Sequence, residues 1–248
     1  MSGAPSSRNM LGGYGPIDGT VEFYGRLHAF LQAHFIVADL GAGRGAWFAE
    51  TDAAFRRDLR MLKGTVAEVI GLDLDEAVLA NRSTDRNLVL RGPRLPLDDS
   101  SIDVVLADYV LEHVDDPVAF EREAFRVLRP GGLFCARTPH RWNYASIGSR
   151  LLGARLQAGA LRVLQPGRDA RDVFPTRYRC NTLRRLAAVW PAARWTDYSY
   201  LYTAEPSYHG GSTGLYRCWS LVHRFAPPPL VANIFVFKIK RPADAAAS

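Results

Sequence analysis

Lysine is scarce in this chain, with three residues against 28 arginines, and so is cysteine, with three among 248 residues. Cys135, Cys180 and Cys218 lie too far apart for a paired metal site and are odd in number for a disulfide framework. Inert thiols in a reducing cytoplasm fit that usage, and no metal is expected. No apolar run approaches the length of a membrane span. The first twenty residues have no apolar stretch of the kind a secretory leader needs, so none is expected. There is no Tyr-x-x-x-Lys pair to serve a short-chain dehydrogenase. Nor is there an Asn-Pro-Pro-Tyr-like base-flipping motif or a lysine-rich tract, and a nucleic-acid partner is not expected.

What is present is enough for one sizeable core: 48% of the residues are hydrophobic. The net charge of +6 is unevenly placed. Residues 1–140 carry 15 Lys and Arg against 20 Asp and Glu, whereas residues 141–248 carry 16 against 5. A basic second part suits an anionic substrate or a membrane surface, although arginine richness can also be compositional habit.

Short apolar runs alternate with helical patterns. Residues 1–19 are rich in Gly, Ser and Pro and read as a flexible terminus. Thr20 is placed to cap a helix reaching about His34. Strands are expected at Ile36–Leu40, Glu68–Asp73, Leu88–Leu90, Ile102–Ala107 and Leu133–Arg137, with helices at Ala46–Leu62, Glu76–Asn81 and from Asp115-Asp116-Pro117 to Leu128. Aspartate before proline is a helix-start signal, because the carboxylate accepts from orphan N–H groups and proline suits the first turn. Beyond Arg141 the pattern gives a basic amphipathic stretch at Ile147–Leu164, helices at Asn181–Trp190 and Gly214–Phe225, strands at Trp195–Tyr202 and Asn233–Lys240, and a disordered tail at 242–248. The alternation predicts a single α/β domain over residues 20–241. Its Rossmann-like, seven-stranded, mostly parallel sheet carries helices on both faces, with a C-terminal helical lid insertion at about 141–192.

The chemistry concentrates where the first strand ends. Phe35 to Leu40 runs into Gly41-Ala42-Gly43-Arg44-Gly45, a strand and glycine turn that form a ligand crevice at the carboxyl edge of a sheet. Gly41-x-Gly43-x-x-Ala46 fits the loose dinucleotide fingerprint. The acid after the second strand, Asp73, lies farther on than that fingerprint's usual spacing.

Val37 to Gly45 resembles the first motif of class I S-adenosylmethionine-dependent methyltransferases, and Val69-Ile70-Gly71-Leu72-Asp73-Leu74-Asp75 resembles their second. Leu95-Pro96-Leu97-Asp98-Asp99-Ser100-Ser101-Ile102-Asp103, Leu111-Glu112-His113-Val114 and Arg126-Val127-Leu128-Arg129-Pro130-Gly131-Gly132 are similar to later blocks of the ubiquinone/menaquinone-like (type 11) branch. The resemblance spans roughly Phe35 to Pro139. It implies S-adenosyl-L-methionine as cofactor, with Asp73 on the ribose hydroxyls and Asp39 holding either the turn or the ammonium of the methionine tail. Gly41, Ala42, Gly43, Leu74, Gly92, Asp108 and Tyr109 complete the implied cofactor site. Relatives usually carry an acid for the adenine amino group before the Leu-Pro block, but this chain has no carboxylate between Arg86 and Leu97.

Methyl transfer is an in-line displacement that needs alignment, with a base where the acceptor proton is weakly acidic. His113 and His140, beyond the fourth and fifth strands, are the candidate bases because histidine titrates near neutral pH. The later segments Arg137 to Trp142, Asp172 to Leu183 and Tyr198 to His209 resemble methyltransferases of bacterial surface-glycan gene clusters. That implies aromatics that stack on a sugar ring, and Arg177, Arg179 or His209 as anion binders, or else aromatics that form the core of a lid. The expected reaction is O-methylation of a small-molecule or glycan-linked acceptor. Two alternatives stand beside it: an enzyme held peripherally at the inner face of the membrane, acting on a lipid-linked or quinone-like acceptor, and a non-catalytic cofactor-binding protein.

Overall fold

The computed structural model describes residues 11–49, 54–148, 175–206 and 212–242. Helix α1 (Gly19–Phe30) leads into β1 (Ile36–Leu40), a 3-10 turn at Ala46–Ala49 and α2 (Ala54–Arg60). β2 (Glu68–Asp73), a 3-10 turn at Glu76–Ala80, β3 (Arg86–Val89), β4 (Ile102–Asp108), α3 (Pro117–Val127) and β5 (Leu128–Pro139) follow. A helix α4 begins at 144, its described part reaching 148. Then come α5 (Leu183–Val189), β6 (Trp195–Asp197), β7 (Tyr200–Tyr202), α6 (Thr213–Phe225), α7 (Pro228–Val231) and β8 (Asn233–Lys240).

The sheet order is β3-β2-β1-β4-β5-β8-β6, with β7 also on β8. Strands β1 to β5 pair in parallel, and β8 runs antiparallel to β5. β6 and β7 keep one register along β8, Trp195 opposite Lys240 and Tyr202 opposite Asn233. They are one edge strand interrupted at 198–199, where the Phe237 N–H donates to Ser199 Oγ at 3.2 Å. The sheet therefore has eight strands by hydrogen bonding and seven by path.

Both faces are covered, as continuous apolar strands require. Val104 and Leu106 pack with Phe23, Tyr24 and Leu27 of α1, while Val105 and Ala107 pack with Ala124 and Val127 of α3. Leu133 and Cys135 follow the first pair, Phe134 and Ala136 the second. The period of two thus splits each strand between two cores.

Several expectations change. Asp18, not Thr20, caps α1: its Oδ1 accepts from Thr20 N at 2.9 Å and Val21 N at 3.0 Å. A carboxylate satisfies two orphan donors there and also pairs with Arg56 at 3.1 Å. The helix ends at Phe30, four residues short of His34. The expected flexible terminus is anchored from its described part onward, since Tyr14 stacks on Phe55 with ring centroids 5.0 Å apart. Ala46–Leu62 is not one described helix but the 3-10 turn and α2, with 50–53 outside the described residues. The arginine-proline-glycine-glycine segment after α3 is the first part of β5, which begins at Leu128 rather than at the expected Leu133, with a register shift between Ile102 and Val104. Lys240 closes that junction, its Nζ donating to Phe125 O at 2.7 Å and Leu128 O at 2.6 Å.

The supposed insertion is partly core. Leu186 on α5 and Trp190 at its C-terminal cap are buried, and Trp190 stacks on Phe134 with centroids 5.3 Å apart. Their i, i+4 spacing turns one apolar stripe onto the sheet. Most of the basic stretch at Ile147–Leu164 lies outside the described residues.

Candidate cofactor site

Three glycines bend the turn after β1 through positive φ: 72° at Gly41, 53° at Gly43 and 68° at Gly45. A side chain at Gly41 would sit 2.5 Å from Val110 Cγ2 in addition to that strain. The turn is tied to β2: Gly41 N donates to Leu72 O at 2.7 Å, and Gly43 N donates to Asp73 Oδ2 at 2.9 Å. Asp73 Oδ1 accepts the Asp75 N–H at 2.9 Å. Each carboxylate oxygen thus has one backbone donor and keeps capacity for another.

Asn81 clamps the turn from behind. Its Nδ2 donates to Ala42 O at 3.0 Å and Gly43 O at 3.1 Å, and its Oδ1 accepts from Ser83 N at 2.9 Å and Ser83 Oγ at 2.6 Å. Any side chain at Gly45 would overlap Asn81 Oδ1. Nothing in the motif's spacing pointed to Asn81.

A cavity of about 80 Å³, open to solvent, lies beside the turn, smaller than the roughly 300–1,000 Å³ usual for small-molecule sites. Asp39, Gly41, Ala42 and Asp108 line it, together with Tyr24, Trp47 and Arg60. Arg60 Cζ lies 4.5 Å from the centroid of the Trp47 ring, and its Nη2 is 3.9 Å from Asp108 Oδ2. The buried Nε of Arg60 has no hydrogen-bond partner among the described residues.

The two acids of this cavity are shifted in opposite directions. Burial pushes the Asp39 carboxyl up to about 7; the Asp108 and Asp73 charges add to the rise, and Arg60 opposes it. Burial would also raise Asp108. However, the Arg137 guanidinium, by charge and by hydrogen bonds, overcomes this with help from Arg60 and the Tyr24 hydroxyl, and holds the carboxyl below its ordinary value. Arg137 Nε and Nη2 donate to Asp108 Oδ1 and Oδ2 at 2.5 and 2.9 Å, and Tyr24 Oη donates to Oδ2 at 3.0 Å. Three side-chain donors thus occupy the carboxylate expected to touch the cofactor, leaving Oδ1 capacity for one more, and Arg137 as its partner was not read from the sequence.

The other expected cofactor contacts, Gly43, Asp73, Leu74, Gly92 and Tyr109, do not line it. Leu74 is 73% exposed just beyond Asp73. Gly92 is exposed, and a side chain there would meet nothing within 4 Å. Tyr109 takes φ of 58°, costly for a bulky residue, with its N–H on Arg137 O at 2.9 Å and Asn233 Nδ2 donating to its hydroxyl at 3.4 Å.

Neither candidate base lines the cavity. His113 Nδ1 lies 2.9 Å from Pro175 O. His140 is buried at 6% exposure, with Nδ1 3.0 Å from Pro229 O. Burial lowers its pKa, and the Pro229 carbonyl opposes that. Between them, Thr138 Oγ1 donates to the buried Glu112 Oε2 at 2.8 Å and accepts from Asn181 Nδ2 at 2.6 Å.

Farther along, Arg177 and Arg179 both face Asp115, at 2.9 and 3.7 Å, and His209 is outside the described residues. Tyr202 stacks on Phe235 at 4.7 Å, and Tyr200 meets the same ring edge-on at 5.7 Å. Those two tyrosines belong to the sheet's packing.

Comparisons with known proteins agree with this geometry. Residues 38–136 match the methyltransferase domain family Methyltransf_11. A probable S-adenosylmethionine-dependent methyltransferase of Mycolicibacterium smegmatis is 40% identical over 108 residues, which are 42% of this chain and 41% of that protein. One of Mycobacterium tuberculosis strain H37Rv is 42% identical over 82 residues, 32% of this chain and 30% of that protein. The chain thus matches less than half the length of these relatives. Among solved structures, a putative methyltransferase in complex with the Haloferax volcanii Trm112 activator shares the fold. It has a TM-score of 0.59 and 16% identity, with 90% of this chain and 91% of that one covered. Residues 38–136 are thus similar to the methyltransferase domain family, and part of the chain is similar to probable S-adenosylmethionine-dependent methyltransferases.

Proposed function

We propose that the chain as a whole transfers a methyl group from S-adenosylmethionine to a hydroxyl of a small-molecule or glycan-linked acceptor. The observation that carries this is the glycine turn, held by Asp73 and Asn81, beside a cavity lined by both an acid, Asp39, and a base, Arg60. An amino-acid tail carries both charges, so the two side chains suit its ammonium and carboxylate. The unpartnered Nε of Arg60 is a buried donor that an anion would satisfy.

When bound, the cofactor would supply an electrophilic methyl group on a sulfonium, with a neutral thioether as leaving group. Asp73 would accept hydrogen bonds from the ribose hydroxyls. The backbone of Gly41, Ala42 and Gly43 would pack on the tail, and Leu74 and Gly92 would flank the adenine. Asp108 acts one step removed: it fixes Arg137, whose carbonyl accepts the Tyr109 N–H.

His113 is the base we assign. With Nδ1–H donated to Pro175 O, Nε2 is the basic nitrogen and takes the acceptor's hydroxyl proton as the oxygen–methyl bond forms. His140 fixes α7, just before β8. The free thiols at Cys135, Cys180 and Cys218 fit a cytoplasmic setting. No helix among the described residues is long and apolar enough to cross a membrane.

The test is incubation with methyl-labelled donor and panels of hydroxylated sugars, glycolipids and quinols. Label in an ether of a hydroxyl acceptor supports the reading. Transfer only to nitrogen or carbon, or donor binding with no transfer to any panel, overturns it.

A further inference from the structure

Helix α6 is set on the protein with its apolar side outward. Tyr216, Trp219, Ser220 and His223 are half-buried, at the i, i+3, i+4, i+7 spacing of one helix face. Trp219 stacks on Tyr144 with centroids 4.6 Å apart, and His223 Nδ1 lies 3.2 Å from Ala204 O. The other face presents Leu215, Leu221, Val222 and Phe225, exposed at 39, 60, 40 and 75%, with Cys218 exposed among them. Leu230 on α7 extends the patch at 41% exposure. No residue of α6 is buried. A helix held only by core burial would show the reverse orientation.

The charge on this helix has one sign. Between Glu205 and Asp244 the sequence has no acidic residue. Arg217 and Arg224, seven residues apart, stand together on one flank of the stripe and are exposed. Large apolar side chains projecting from a surface helix, with arginines at their edge and no acidic residue on the helix itself, match the interface of an anionic bilayer. There the apolar side chains enter the acyl boundary and the guanidiniums meet lipid phosphates.

We propose that α6 docks the protein on anionic lipid membranes through Leu215, Leu221, Val222 and Phe225, with Arg217 and Arg224 on the headgroups. Tyr144, five residues beyond the end of β5, is the ring on which α6 rests, so docking brings the carboxyl end of β5 toward the lipid surface. That this favours a lipid-linked acceptor rests on the proposed methyl transfer; the docking itself does not.

The experiment is co-sedimentation of the full chain with phosphatidylcholine vesicles, with and without phosphatidylglycerol, at low and physiological salt. Binding is expected only with the anionic lipid and should weaken with salt. The variants L221S/F225S and R217S/R224S should each bind at least about tenfold more weakly. Their unfolding midpoints and their affinity for the demethylated donor should stay unchanged, which separates docking from folding and from the donor reading. An environment-sensitive dye on Cys218 should shift to the blue with anionic vesicles. Absence of wild-type binding, equal binding of the variants, or a dimer in light scattering that L221S/F225S converts to monomer would overturn the proposal. The last result would assign the stripe to a second copy of the chain.

Discussion

Arg137 forks its guanidinium onto both carboxylate oxygens of Asp108, and both side chains are almost wholly buried, at 6% and 10% exposure. They sit 29 residues apart in sequence on neighbouring parallel strands, opposite each other in register. A bidentate pair in that setting is rigid, and breaking it leaves a buried charge with too few partners.

Arg137→Met should therefore destabilise the protein by about 3–5 kcal/mol, read as a lowered midpoint in urea. The double variant Arg137→Met with Asp108→Leu should recover much of that loss, because neither charge is then stranded. A double variant no more stable than the single would mean that the pair does not act as a unit.

Asn81 should matter to donor binding without touching the donor. Asn81→Ala removes two bonds to the carbonyls of Ala42 and Gly43, each worth about 1 kcal/mol. Affinity for the demethylated cofactor should fall several-fold, with the turn's amide protons exchanging faster. Unchanged exchange would show that the glycines hold the turn alone.

The raised carboxyl of Asp39 gives two pH effects of known sign. Its folded pKa of about 7 lies above the unfolded value, so its charge opposes folding progressively as pH rises from about 4 to 7. Asp39→Asn should stabilise the ligand-free protein at pH 8 and leave it unchanged at pH 4. Pairing with an ammonium needs the ionised form. Donor affinity should accordingly rise several-fold between pH 6 and 7.5 in the parent and stay flat in Asp39→Asn. A flat profile in the parent would remove Asp39 from the ammonium site.

His113→Ala should lower turnover by about 10²–10⁴-fold if proton removal is part of the chemical step, with donor affinity unchanged. His140→Ala should act on stability more than on rate, since its ring holds the Pro229 carbonyl. Full rate in His113→Ala would leave alignment alone to drive transfer.

Much of this was legible in the chain. The ends of β8 at Asn233 and Lys240 match the sequence reading residue for residue, because the apolar run Ile234–Phe237 marks the strand and Pro242 follows close behind it. Asp116 and Pro117 announce α3 by chemistry that is local. Asp73 and the glycines were found because the turn's demands fall on adjacent residues. Asn81, Arg60 and Arg137 were not, since each acts on a partner 29 or more residues away and no spacing rule links them. The cap at Asp18 was misplaced by two residues because Thr20 offers the same chemistry, and only the fold shows which oxygen reaches the free N–H groups.

The central claim is that the turn between Asp39 and Gly45, with Asp73, holds S-adenosylmethionine. Calorimetric titration of the full chain with S-adenosylhomocysteine tests it most directly. The account predicts one site, with affinity reduced at least about tenfold in Asp73→Ala, since charge-assisted bonds to the ribose contribute roughly 1.5–3 kcal/mol each. No heat of binding in the parent, or equal affinity in Asp73→Ala, would contradict it.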